Sequence, residues 1–104
     1  MLDSSFNCVH VFSYQGKRIR SWGTYGNKSG EFKNPWGITI CRDIVFVVDS
    51  GNRRIQAFTL QGEYIFEYSR KDFFDIGEII IINTFAYVND WKNCNIAKLK
   101  LIYD

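Results

Sequence analysis

The side chains that could carry chemistry are few, and their spacing suits none. Histidine occurs once, as His10, and the three thiols Cys8, Cys41 and Cys94 include no Cys-x-x-Cys pair. Acyl transfer needs a nucleophile beside a base, and phosphoryl transfer needs a glycine-rich loop whose amides cradle phosphates; neither pattern occurs. An odd set of scattered cysteines signals neither a zinc site nor a complete disulfide framework. The sequence therefore predicts no catalytic residue, no cofactor and no resident metal, with the cysteines as partly buried reduced thiols.

Binding chemistry has more to draw on. Lys17, Arg18, Arg20, Lys28, Lys33, Arg42, Arg53 and Arg54 could meet phosphates, and Trp22, Tyr25 and Trp36 could stack on bases. The net charge is only +2 over 104 residues, a weak electrostatic footprint for nucleic acid. A solvated charged surface, with Trp22 and Trp36 in the core, is the simpler account of these residues. The N-terminus has no basic stretch followed by an apolar run. The longest run of isoleucines, residues 79–82, is far short of the roughly 20 apolar residues that a membrane helix needs. A cytoplasmic setting without a membrane is the expectation.

The elements that position these residues read as strands. Aromatic residues make up 17% of the chain, with only one proline, Pro35, and such rings suit pleated, half-buried surfaces. Trp36, Ile38 and Ile40 alternate with Gly37 and Thr39, the period of a strand. A second strand is predicted over 45–48, a third over 54–59 and a fourth over 64–68. They are joined by an Asp49-Ser50-Gly51-Asn52 turn and a tight Gln61-Gly62 turn. Four short antiparallel strands make one propeller blade.

Self-comparison repeats the unit. Residues 49–65 slid back by 46 lie without a gap on residues 3–19, so that Asp49 meets Asp3, Phe58 meets Phe12 and Gln61-Gly62 meets Gln15-Gly16. Slid forward by 41, residues 46–49 meet Tyr87-Val88-Asn89-Asp90, and Ile55 meets Ile96. Spacings of 46 and 41 residues fit the period of propeller blades. The predicted organisation is a single incomplete all-β propeller over residues 1–104. It has a partial blade at 1–23, a full blade at 24–69 and a partial, degenerate blade at 70–104.

Two stretches carry a family resemblance. Residues 26–38, with Phe32-Lys33-Asn34-Pro35-Trp36-Gly37-Ile38, resemble the opening of an NHL repeat, Phe-x-x-Pro-x-Gly-Ile. Residues 47–58, with Asp49, Asn52, Arg54, Ile55 and Phe58, resemble its centre, Val-x-Asp-x-x-Asn-x-Arg-Ile-x-x-Phe. The match is good over 3–69 and poor beyond. There the proline position holds Ile76, the glycine position Glu78, and the Arg-Ile pair becomes Asn95-Ile96, with Asn93 at the place of Asn52.

The resemblance implies an NHL-type propeller, of the kind found in RING- and tripartite-motif-type proteins, that binds proteins or RNA through interstrand loops. A protein partner is the reading carried forward. RNA, or substrate recognition within a larger ubiquitin ligase, is the alternative, although nothing RING-like is present. Some NHL-like propellers are metal-dependent lyases or hydrolases, but their channel histidines have no counterpart here, so the chain is read as a non-enzyme. Since one full and two partial blades cannot close a ring, self-association or a longer parent chain is implied.

Individual positions receive roles on the same basis. Asp3, Asp49 and Asp90 are equivalent, and each is expected to cap its own turn. Arg54 is read as a cross-blade fork for a carboxylate or carbonyl. Gly37 suits close strand approach and Pro35 a turn. Val9, Phe12, Ile38, Ile40, Val45, Val47, Ile55, Phe58 and Ile65 are the candidate packing set between sheets, with Phe32 part of the opening motif. The loop residues Tyr25, Lys33, Trp36, Arg42 and Arg53 are the candidate binding set.

Overall fold

A computed structural model describes residues 2–3, 7–91 and 95–101. Cys94 and Asn93, both assigned roles above, lie outside the described residues. Among the described residues, ten strands form three antiparallel meanders. Strands β1 (Leu2–Asp3), β2 (Cys8–Phe12) and β3 (Arg18–Trp22) make sheet 1. Sheet 2 contains β4 (Gly37–Cys41), β5 (Ile44–Asp49), β6 (Arg54–Thr59) and β7 (Tyr64–Ser69). Sheet 3 contains β8 (Ile76–Ile82), β9 (Phe85–Asp90) and β10 (Asn95–Lys100). Three antiparallel sheets with no helix but one short 3-10 turn among the described residues fit the incomplete all-β propeller expected from the sequence. Among the described residues no helix is long and apolar enough to cross a membrane.

The 46-residue offset holds down to backbone detail. Val9 faces Trp22 as Ile55 faces Tyr68, and the register slips after Val11 as it slips after Ala57. The β2–β3 turn closes with Ser13 N–H to Lys17 O at 2.8 Å, and the β6–β7 turn with Thr59 N–H to Glu63 O at 2.8 Å. Gly16 and Gly62 hold φ of 84° and 92° there, a region open to glycine and strained for other residues. The 41-residue offset holds over the centre of the pair, where Ile38 faces Val47 as Ile79 faces Val88, but β8 carries a register slip between Ile76 and Ile79 that β4 lacks.

Sheet 2 is sandwiched, and its alternation divides into two apolar layers. Val45, Val47 and Phe58 turn one way and pack with Val9 and Phe32 against sheet 1. Phe46, Val48, Ile55 and Ala57 turn the other way onto Phe73, Ile76, Ile79, Ala86 and Val88 of sheet 3 and its approach. A strand buried on both faces reads as an unbroken apolar run, which is why β5 carries Ile-Val-Phe-Val-Val. Sheets 2 and 3 come closest at β4 and β8, where a Cβ on Gly37 would collide with the Gly77 carbonyl.

Three members of the expected packing set lie elsewhere. Phe12, Ile40 and Ile65 are all exposed, at 44%, 61% and 43%. Phe12 occupies the register of Phe58, but its face of sheet 1 turns away from sheet 2. Ile40 points towards sheet 1 at the end of β4, where no described strand covers it. Ile65 sits on the outer strand of its sheet. Trp36 also leaves the core, being 55% exposed, while Trp22 packs on Phe58 at 5.6 Å between ring centres.

Candidate functional site

The polar centre of sheet 2 is a buried aspartate network. Asp49 ends β5 and is fully buried, and across the strand pair lie Arg54 and, two residues on, Gln56. One carboxylate oxygen of Asp49 accepts from Arg54 Nε at 2.8 Å, Asn52 Nδ2 at 2.9 Å and Gln56 Nε2 at 3.1 Å. The other accepts from the Lys33 backbone N–H at 2.7 Å. Asp49 therefore does not cap its own turn, which has no side-chain cap bond. It holds instead the loop leading into β4. Asp90 does the same one sheet on, accepting from Phe74 N–H at 3.0 Å and Asp75 N–H at 3.1 Å. The recurring aspartate is thus a clasp between the end of the second strand and the entry to the first. Asp3 pairs with His10 Nε2 at 3.2 Å.

Arg54 uses its whole guanidinium within residues 27–67 rather than across to another sheet's strands. Beyond Asp49 it donates to the carbonyls of Asn27 (3.0 Å), Lys28 (2.9 Å) and Glu31 (2.8 Å), and to Glu67 at 3.2 Å. The connection from β3 to β4 wraps over this fork, and Asn52 ties it again through the Gly26 carbonyl at 2.8 Å. A charge buried this deeply is tolerable because every donor finds an oxygen. Glu67 feels opposing pulls. Burial raises its pKa, but the Tyr64 hydroxyl, Arg54 and Ser29 together hold the carboxyl below its ordinary value.

Because successive hairpins reverse direction, the loops fall at two opposite ends. Residues 24–36, 50–53 and 70–75 gather at one end, which carries Tyr25, Lys33, Trp36 and Arg53. Arg42 lies at the other, in the β4–β5 turn with φ of 52°. The candidate binding set is therefore split, four against one. At the shared end Trp36 meets Trp91 edge-to-face with ring centres 5.2 Å apart, and the Arg53 guanidinium lies 5.0 Å from the Phe74 ring centre. Tyr25 is 64% exposed beside its bridge to Phe32, while Phe32 is fully buried against Phe58 at 5.6 Å, and Pro35 is buried too.

Sequence reasoning missed Gln56, Glu67, Phe74 and Trp91. A signal existed for Gln56, which falls on His10 in the 46-residue offset, each a polar residue between two apolar neighbours in its strand. Trp91 carried none, since its role comes from meeting Trp36 across two sheets.

Residues 32–58 match the family model of the NHL repeat. The ends of the matched segment are Phe32 and Phe58, whose rings touch, so the NHL repeat here is a closed physical unit. NHL repeats are generally non-catalytic modules for protein interaction. No curated protein matches the chain.

Proposed function

We propose that this chain is a non-enzymatic, cytoplasmic NHL scaffold that binds a protein partner with the end bearing Tyr25, Trp36, Arg53, Phe74 and Trp91. The blade boundaries at 23/24 and 69/70 belong to the same reading. The observation that carries it is the convergence of half-exposed aromatic rings with an arginine at one end of the sheets. Tryptophan, tyrosine and arginine are the residues that dominate binding energy at protein interfaces. The RNA alternative loses support, because Arg54 is consumed inside the fold and Arg42 sits at the far end. Recognition of substrates within a larger ubiquitin ligase is a special case of the protein-binding reading. Self-association belongs to the proposal as well, since the outward face of sheet 3 exposes Ile80, Ile82 and Ile96.

A photo-crosslinking phenylalanine placed at Trp36 or at Arg42, in cells, tests the choice of end. Protein adducts at position 36 and not at 42, unchanged by ribonuclease, support the reading. Equal adducts at both positions, or adducts at 42 alone, overturn it. Adducts removed by ribonuclease select the RNA alternative.

A further inference from the structure

Sheet 1 repeats the aspartate network with different chemistry. Asp3, Cys8 and His10 stand at the positions that Asp49, Arg54 and Gln56 hold in sheet 2. Asp3 pairs in register with Cys8 just as Asp49 pairs with Arg54. Cys8 and His10, two apart on one strand, share the face turned away from sheet 2. His10 Nε2 lies 3.3 Å from Cys8 Sγ and 3.2 Å from the Asp3 carboxylate, and the three ligand atoms lie within 4.8 Å of one another. Cys8 is buried, and the His10 and Asp3 side chains are 13% and 21% exposed.

We propose that Asp3, Cys8 and His10 form a binding site for a zinc-like divalent cation. The donors are carboxylate oxygen, thiolate sulfur and imidazole nitrogen, a mixed set suited to a borderline-soft ion. Zinc bonds of about 2.1 Å to nitrogen and oxygen and about 2.3 Å to sulfur place tetrahedral neighbours roughly 3.4–3.6 Å apart. The two separations from His10 Nε2, 3.2 and 3.3 Å, are close to those edges, and the third, between Cys8 Sγ and the Asp3 carboxylate, is within 4.8 Å, so side-chain rotation about a fixed backbone brings the donors around the ion. His10 Nδ1 lies 3.1 Å from Ser21 Oγ, the outer contact that orients a ligating imidazole. The cation also has an electrostatic counterpart. In sheet 2 a guanidinium supplies positive charge to the buried aspartate; at Cys8 that side chain is replaced by a thiol, and a divalent ion supplies the charge instead.

Binding breaks the Cys8 S–H bond, forms a metal–sulfur bond and releases the proton to solvent, with no change of oxidation state. In the metal-free protein, burial and then the neighbouring Asp3 carboxylate push the Cys8 thiol above its usual range, against a pull from Arg18. Three protein ligands leave a fourth position for water or another donor.

The test is titration of the chelator-treated 104-residue protein with Co²⁺ and Zn²⁺. The expected result is one equivalent of cobalt per chain with a thiolate-to-cobalt charge-transfer band, displacement by zinc, and a zinc-dependent rise in unfolding temperature. Cys8→Ser should abolish the band. His10→Gln places the sheet-2 side-chain type here, keeps a donor to Asp3, and should fold normally while losing both the band and the zinc shift. Ser21→Ala should weaken binding about tenfold. The proposal fails if the wild-type protein gives no band, if the band survives Cys8→Ser, or if His10→Gln binds cobalt as tightly. Should Cys8→Ser not fold, His10→Gln decides alone.

Discussion

At the residue scale the structure turns on Asp49 and Arg54, an ion pair whose side chains are 0% and 7% exposed. Removing one member strands the other charge in a dry site, which costs about 3–5 kcal/mol. Arg54→Met should therefore lower the denaturant midpoint severely, and equilibrium urea unfolding reads it. Arg54→Lys should recover little, since one ammonium cannot reach the five oxygens that the fork now serves. Glu67 makes a pH prediction of definite sign. Its folded pKa lies below the ordinary value of 4.5, so the stability it contributes is present above that pH. That contribution is lost as pH falls through the lower, folded value. The difference in unfolding midpoint between the wild type and Glu67→Gln should be constant near neutrality and shrink below about pH 4.5.

At the element scale the two copies of one turn offer a built-in control. Gly16 and Gly62 share a left-handed conformation, but a Cβ on Gly16 meets nothing within 4 Å, whereas one on Gly62 would lie 2.6 Å from the Trp22 ring. Alanine at either position costs about 1 kcal/mol in backbone strain. Gly62→Ala should cost clearly more than Gly16→Ala, and thermal unfolding of the pair measures the packing of the turn on sheet 1. Phe32→Ala should cost about 3–5 kcal/mol, because the ring closes the NHL unit from inside. Strands and turns were legible in the sequence because period-2 alternation and turn residues are local signals, and the repeat multiplied them. The partner of Asp49 was not, because its amide lies in the Lys33 loop and nothing in that loop's sequence marks the bond. Phe12, Ile40 and Ile65 misled for a related reason. Alternation tells that a residue faces a layer, and not whether another sheet occupies it.

At the scale of the whole molecule the sheets form a directed stack. The face of sheet 2 that carries Asp49, Arg54 and Phe58 meets sheet 1, and the face that carries Phe46 and Val48 meets sheet 3. Sheet 1 turns its Asp3, Cys8, His10 and Phe12 side outward, and sheet 3 turns out Ile80, Ile82 and Ile96. Lysine in place of Ile80 should reduce any concentration-dependent assembly without lowering the unfolding midpoint, and light scattering across a dilution series checks both the assembly and its loss. The two outward faces are unlike, and each is the kind that the other meets inside the stack. Copies joined through them would therefore add tail to head, each join repeating the last, with no twofold axis to stop growth after two. The rotation from one sheet to the next then decides the outcome: a turn that divides a full circle gives a finite ring, and one that does not gives a filament.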